Sequence, residues 1–473
     1  MIRSYVVIGA GISGLVAAWE LTRLEPEASI TVLEGSSSLG GKIAHVEVAG
    51  IHVDSGAESL LARRPEALTL IDELGLRDDI VHPASTQASI FSRGRLHPMP
   101  TGTVMGIPSD ADTLMSLLTD SELARVRNER LDGGVSRDRS GSDISVGDFV
   151  DGRLGPAVVD RLIEPLLGGV YAGHAREISL AAALPTMFSA YRNATSVLEV
   201  ARAAQPVADA PRPPVFASLR GGVNQMIAAL ERVLGDAGVT IRTNVTVREV
   251  SRRPARRGGG FQIVTGPVPE PDIVTADRLI VATPSAPTSR LLAQIAPAAA
   301  RGLSEIETAS MAIVTMALPS ASVPTLVGSG LLVPPVEGLT VKAATFSGNK
   351  WAWVGEAGAT AADPVVVLRA SVGRHREESA LQRDDDDLVD VVRRDLSTLL
   401  GRTVPEAIDA DVHRWGGALP QYAPGHLDRV ATIRSAVAQV PGLAVCGATY
   451  DGVGIPACIA SARAAATQVR RPQ

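Results

Sequence analysis

An α/β fold on a parallel sheet is predicted by three features of this 473-residue sequence. A glycine motif, Gly9-Ala10-Gly11-Ile12-Ser13-Gly14, stands between a short β-branched run and an apolar helix. An acidic residue, Glu34, closes a second apolar run about 20 positions past the last glycine. Farther on, roughly between residues 100 and 200, strand signals fade and helical periodicity takes over. Together these predict a Rossmann-like nucleotide-binding domain, a mixed α+β second domain and a helical insertion.

The elements follow in order. Residues 5–8 form a strand, Ile12–Leu24 a helix and Ser29–Leu33 the second strand of a βαβ unit. A helix over 65–74 is stopped by Gly75. Helical pieces are expected over 110–118, 121–129, 146–150 and 157–167, with an open loop rich in Gly, Ser and charge over 137–143. The prolines of 206–214 mark a boundary, because clustered prolines cannot continue a helix. Beyond it a helix covers 224–234, and Thr240–Arg242, 246–250, 261–264 and 278–283 are extended. Strands at 312–318 and Val365–Val372 precede a helix from the aspartates 384–387 through Leu400. Four acids at a helix start suit its N-terminal dipole better than they suit a metal.

Composition excludes several function classes. With 45 Lys and Arg against 51 Asp and Glu, the net charge is −6, and no basic stripe offers a nucleic-acid surface. Two cysteines, Cys446 and Cys458, cannot staple a chain of this size, so a reducing, cytoplasmic setting is expected. The N-terminal apolar run is too short for a signal segment, and no stretch approaches the ~20 apolar residues of a transmembrane helix. Peripheral membrane contact stays open. His97, His174 and His426 lack metal-ligand spacing, so no metal is expected and they read as structural residues or loose base candidates. Lysine occurs only at 42, 342 and 350, which makes each one worth locating.

The glycine motif has physical requirements. Gly9 permits the tight turn, Gly11 admits a pyrophosphate to the backbone, and Gly14 lets helix and strand close together. Helix N–H groups then face the phosphates, and Glu34 accepts from a ribose hydroxyl. Gly40-Gly41-Lys42 adds a second close backbone approach with a cation beside it.

The run from Gly9 to Lys42 resembles the FAD-binding flavoprotein oxidases that include amine and porphyrinogen oxidases. The resemblance implies non-covalent FAD held by Gly9, Ala10, Gly11, Ile12, Ser13, Gly14, Glu34, Gly35, Gly41 and Lys42. It adds Gly56, Ala57, Glu58 and Ser59, then Val245, in a strand whose main chain meets the adenine. Trp415 and the turn Val453-Gly454-Ile455 before an alanine-rich C-terminal helix complete the set. Cys446 lies near the flavin, but its surroundings do not match a covalent attachment pattern. The implied domains are discontinuous: an FAD domain of 1–85, 215–290 and 434–473, a helical insertion of 96–205, and a substrate domain of 86–95, 206–214 and 291–433.

Six further segments occur in one order: Gly56-Ala-Glu-Ser59, Leu96-His-Pro-Met-Pro100, Gly169-Val-Tyr171-Ala-Gly173, Ser218-Leu-Arg-Gly221-Gly222, Trp415-x-x-Ala-Leu-Pro420-Gln-Tyr-x-x-Gly425-His426 and Gly452-Val-Gly-Ile-Pro456. They resemble the protoporphyrinogen/coproporphyrinogen oxidase family, most of all its bacterial coproporphyrinogen III oxidases. The resemblance implies hydride transfer from a methylene bridge to flavin N5, loss of a pyrrole proton, and reoxidation by O₂ to H₂O₂. Three such rounds make the six-electron oxidation of coproporphyrinogen III in haem biosynthesis. It also implies transient contact with a ferrochelatase that receives the product. The catalytic proton acceptor is unassigned. Gly169 and Tyr171 are the candidates for contact with the macrocycle, in a loop that lines it; a core role for Tyr171 is the other reading. Arg63, Arg64, Arg93, Arg95 and Arg176 are candidates to pair its propionates. Alternatives are protoporphyrinogen IX oxidation, and a flavin amine oxidase with Tyr422 and Tyr450 caging an amine. Aromatics at 3% of the chain speak against such a cage. A non-enzymatic flavoprotein that binds a partner is the remaining class.

Overall fold

The computed structural model describes residues 2–132, 143–205, 214–254, 258–323 and 325–470. Five parallel strands form the first sheet, in the order Thr240–Arg242, Ser29–Leu33, Ser4–Ile8, Arg278–Val281, Leu443–Val445. Three separated parts of the chain thus build one sheet. Its central strands read as unbroken apolar runs because both faces are covered: Tyr5 to Ile8 and Leu279 to Val281 are all buried. On one face the helices Ile12–Leu24, Gln225–Asp236 and Ile455–Arg470 share a single core. On the other, a three-stranded antiparallel sheet (Val247–Arg252, Phe261–Thr265, Asp272–Ala276) and helices around Pro297–Ser304 close the layer.

The second large sheet has seven strands, ordered Asp409–Pro420, Thr308–Pro319, Val365–Val372, Val341–Phe346, Gly330–Leu332, Ala88–Ser92, Arg95–Pro98. The helix Asp385–Leu400 covers one face through Leu388, Val392 and Leu396 against Leu368, Ala370 and Val372. On the other face Leu332 meets Gly169 of the helical insertion, and Ala317, Val365 and Val367 pack with Val48, Ile51 and Val53. The domain boundary expected at 95–96 falls inside the strand Arg95–Pro98.

Most expected elements are present, some with other bounds: the helix expected over 146–150 runs to Leu154, and the strand expected over 312–318 begins at Thr308. The helix expected over 110–118 is only a 3₁₀ turn, Ala111–Leu114. The helix expected to stop at 167 runs through a π turn, Val159–Ile163, and continues as Glu164–Tyr171. Gly168 and Gly169, which lie beyond the expected end at 167, therefore sit inside it. Buried Leu167 and Tyr171 carry the helix past its glycines, because packing outweighs their propensity cost of about 1 kcal/mol each. Gly169 and Tyr171 accordingly belong to a last helical turn and not to a loop. Val245 lies in the connector between two strands, where its N–H donates to the Glu34 carbonyl at 2.8 Å. Apart from Asp143 and Pro214, the expected loop over 137–143 and boundary over 206–214 lie outside the described residues.

Candidate cofactor and substrate site

The glycine turn is dictated by contacts. Gly9 has φ +100°, and its N–H donates to the Leu33 carbonyl at 2.8 Å, locking the turn onto the second strand. A Cβ at Gly14 would lie 1.8 Å from the Gly9 carbonyl oxygen, so the helix can reach the strand only as glycine. Gly11 differs: a Cβ there would meet nothing nearer than 3.9 Å. Its small size is therefore not needed by the protein's own packing. No side chain caps the helix Ile12–Leu24, so its first N–H groups remain for an anion beside Gly11. The Gly40 N–H donates to the Ala10 carbonyl at 2.9 Å, and a Cβ on Gly41 would be 3.1 Å from the Gly11 Cα. Glu34 is held rigidly: Oε2 accepts from the Ala10 N–H at 2.7 Å, and Oε1 from the Ser36 N–H at 2.8 Å and hydroxyl at 2.9 Å. Exposed Gly35 follows it.

Lys42 extends the cradle. Its carbonyl accepts from the Ala57 N–H at 3.0 Å, and a Cβ at Gly56 would come within 2.2 Å of that carbonyl oxygen. Burial lowers the pKa of the Lys42 ammonium. Among the described residues no carboxylate pairs with it, so this half-buried cation suits an anionic ligand. Glu58 is used differently. Its carboxylate joins Lys350 at 2.5 Å and Arg369, and Arg369 also donates to the Gly56 carbonyl at 2.8 Å. Burial alone would raise the Glu58 carboxyl, but the two cations outweigh it and hold it at about 2. The side chain thus ties the loop before Ser59 to the seven-stranded sheet through Arg369. Trp415 donates from its indole to the Ser55 carbonyl at 3.2 Å, and its ring lies against His413 at a 37° tilt with centroids 4.0 Å apart.

The C-terminal turn joins the same place. Ile455 opens the helix Ile455–Arg470, and the Cys458 N–H donates to the Gly454 carbonyl at 3.0 Å. The Ser13 hydroxyl donates to the Cys458 carbonyl at 3.4 Å, which brings two helix N-termini together. Val453 packs against the core of the helical insertion, the cluster that holds Tyr171 and Tyr422. Those rings touch at 5.6 Å, and Tyr422 stacks on His426 at 4.0 Å while donating to the Ala448 carbonyl.

The inner face of the seven-stranded sheet completes the site. Ile313, Ser371 and Ala343 are register partners across three strands, and partners in register share a face. Arg369, two residues along, points that face at the Gly56 loop. Ser371, Ala343, Thr345 and Leu332 are only half-buried although they lie on inner strands. Opposite them stands exposed Gly169, where a Cβ would be 3.9 Å from Leu332 Cδ2. Small residues on a half-open face, bounded by a glycine helix and the cofactor loop, leave room for a flat ligand.

The sequence matches the flavin-containing amine oxidoreductase family over residues 12–470. The chain belongs to this family. It is 38% identical to a Mycobacterium tuberculosis coproporphyrinogen III oxidase, over 99% of this chain and 97% of that protein. It is 30% identical to the Bacillus subtilis coproporphyrinogen III oxidase, over 98% and 97%. A crystal structure from Exiguobacterium sp., provisionally named a protoporphyrinogen oxidase, superposes with TM-score 0.84 at 33% identity over 99% and 98% of the two chains.

Membership implies a flavin cofactor, and the donors present in the cradle would fit one: uncapped helix N–H groups, the open side of Gly11, the fixed Glu34 carboxylate and Lys42, which no carboxylate pairs with among the described residues. Other sequence candidates are engaged elsewhere. Arg64 pairs with Glu66, Arg93 with Glu122, and Arg176 with Asp160 and Asp151. Arg63 and Arg95 are exposed. Buried His97 faces the Ser92 carbonyl at 3.0 Å, and His174 lies 3.6 Å from Glu164. Tyr450 is buried in a different core cluster from Tyr422, so these two do not form a cage. Sequence reasoning gave no role to Lys350 and Arg369, the partners of Glu58. The available signal was lysine rarity: none of the three lysines is fully exposed, and Lys342 is 3% exposed with Nζ unpartnered.

Proposed function

We propose that this chain is an FAD-dependent oxidase that converts coproporphyrinogen III to coproporphyrin III, with O₂ as final acceptor and H₂O₂ as by-product. The observation that carries the reading is that Val453, on the turn before the C-terminal helix, packs against the same apolar cluster that holds the Tyr171–Tyr422 pair, beside the half-open sheet face. Bound flavin supplies the hydride acceptor. The protein's own task is placement: Gly169 admits a flat ring, Tyr171 and Tyr422 wall one end, and small Ala343 and Ser371 floor the cavity. Non-covalent FAD is supported by the thiols, which burial pushes up, Cys458 to about 11 and Cys446 beyond it. Such thiols are poor nucleophiles toward a flavin. Two tyrosines in mutual contact leave no gap for an amine between them, which disfavours amine oxidation.

The test is porphyrin fluorescence from the holoprotein incubated in air with coproporphyrinogen III or protoporphyrinogen IX, with H₂O₂ measured in parallel. Coproporphyrin with about three H₂O₂ per macrocycle is expected. No porphyrin from either overturns the reading, and preference for protoporphyrinogen overturns the substrate. Acid precipitation should release all flavin into the supernatant as FAD; flavin retained on the protein would refute non-covalent binding.

A further inference from the structure

The helix Glu164–Tyr171 ends without the glycine that usually closes a helix. Ala172 takes the left-handed conformation at φ +50°, and its N–H satisfies only the Gly168 carbonyl, at 3.0 Å. The next orphan carbonyls are satisfied from the other domain. Tyr171 O accepts from Gln421 Nε2 at 2.8 Å, and Ala172 O accepts from the His375 N–H at 2.7 Å. Gln421 follows the strand Asp409–Pro420, is 7% exposed, and gives a second Nε2 bond to the Leu419 carbonyl at 3.1 Å. Its own N–H donates to the Glu307 carbonyl at 2.9 Å, so the side chain projects from a fixed backbone. Its Oε1 lies over Gly173, where a Cβ would be 2.1 Å away. The adjacent Tyr422 presses its ring on Tyr171. One dipeptide of the sheet domain thus grips both the main chain and the ring of one residue in the insertion.

We propose that Gln421 is a positioning residue for the macrocycle: it caps the Gly169–Tyr171 helix in trans and so sets the gap between that helix and the sheet face. The inference rests on the porphyrinogen reading above. Gly173 belongs to the same device, because any side chain there displaces Oε1. A residue that only stabilises the fold would change the melting temperature; one that sets the gap changes ligand affinity as well.

Three variants of the FAD-loaded protein test this. Gln421→Met keeps the volume and loses the donor, Gln421→Glu keeps the shape and loses the donor, and Gly173→Ala pushes the side chain from the opposite side. Affinity is read as quenching of coproporphyrin fluorescence in titrations, and KM and kcat are read with coproporphyrinogen III. In all three, weaker coproporphyrin binding and a KM raised about tenfold are expected, with kcat changed less than threefold and the flavin spectrum unchanged. A lowered Tm with unchanged KM and product affinity overturns the proposal, and so does an effect in Gln421→Glu alone, which would be due to charge. If the unaltered protein neither binds nor turns over the porphyrinogen, the functional reading has failed, a result distinct from equal behaviour of active wild type and variants.

Discussion

The two halves of the molecule are specified in different ways. In the parallel-sheet half, the contacts that shape the glycine turn are short in sequence: Gly9 to Leu33, Gly14 to Gly9, Ala10 to Glu34. In the half formed by the seven-stranded sheet and the insertion, the contacts that shape the cavity span long separations: 250 residues from Gln421 to Tyr171, and 311 from Arg369 to Glu58. A cradle made by local backbone sterics can be read from spacing. A cavity made by two distant walls exists only once both sheets have formed.

The comparison can be broken or sharpened by substitution. The largest effect is expected from Gly14→Ala. Its Cβ would stand 1.8 Å from a backbone oxygen, so the helix must leave the sheet. A loss of the order of 5 kcal/mol, comparable with total stability, should appear in urea unfolding, with no flavin retained. A well-folded, flavin-loaded Gly14→Ala protein would show that the local argument is wrong.

Next is Lys342, whose ammonium is brought down to about 7 by burial and by neighbouring Arg374. A lysine pKa below its unfolded value of 10.5 means that the unfolded chain binds the extra proton between these limits. Stability should therefore rise with pH from about 7 to about 10.5 and be flat below that window. Lys342→Met should reduce this slope, leaving the part due to Lys42, and stabilise the protein at pH 7 by up to about 4 kcal/mol, measured by urea unfolding across pH. An unchanged slope would refute the assignment.

A smaller loss, about 3 kcal/mol, is expected for Arg369→Met, because Glu58 would keep only Lys350 in a buried setting. The folded Glu58 carboxyl lies at about 2, below its ordinary value of 4.5, so its contribution is present above 4.5 and is lost as pH falls toward 2. Acid unfolding of Arg369→Met should begin at higher pH than in the unaltered protein. Coincident acid transitions would dissociate Glu58 from the interface between the halves. The smallest effect on the fold is expected from Gly11→Ala, whose Cβ meets no protein atom within 3.9 Å. Tm of the apoprotein should not move, while FAD affinity falls about tenfold in a flavin fluorescence titration, since the space serves the ligand. A destabilised apoprotein would mean that Gly11 serves packing.

Much of the cradle was legible because glycine spacing, strand length and helical period each report on a few neighbouring residues. Gly9, Gly14 and Glu34 stand where those patterns put them. The helix through Gly168 and Gly169 was not legible, because its extension depends on burying Leu167 and Tyr171 in a core assembled from distant segments. Glu58 was recognisable as part of a family motif, yet the fate of its carboxylate depended on cations 292 and 311 residues away. Carboxylates already hold Arg64, Arg93 and Arg176, the arginines nearest the candidate motifs, and a sequence does not display such pairings.

By itself the sequence determined a βαβ nucleotide cradle, the order of family motifs and an interior chemistry without a metal-ligand spacing. Tertiary structure alone decided which face of the seven-stranded sheet stays half-open, that Gln421 caps the helix of Tyr171, and that Lys350 and Arg369 meet Glu58. The physical reason is that steric rules act between neighbours in the chain, whereas strand register and the pairing of buried charges are settled only when remote segments exclude water together.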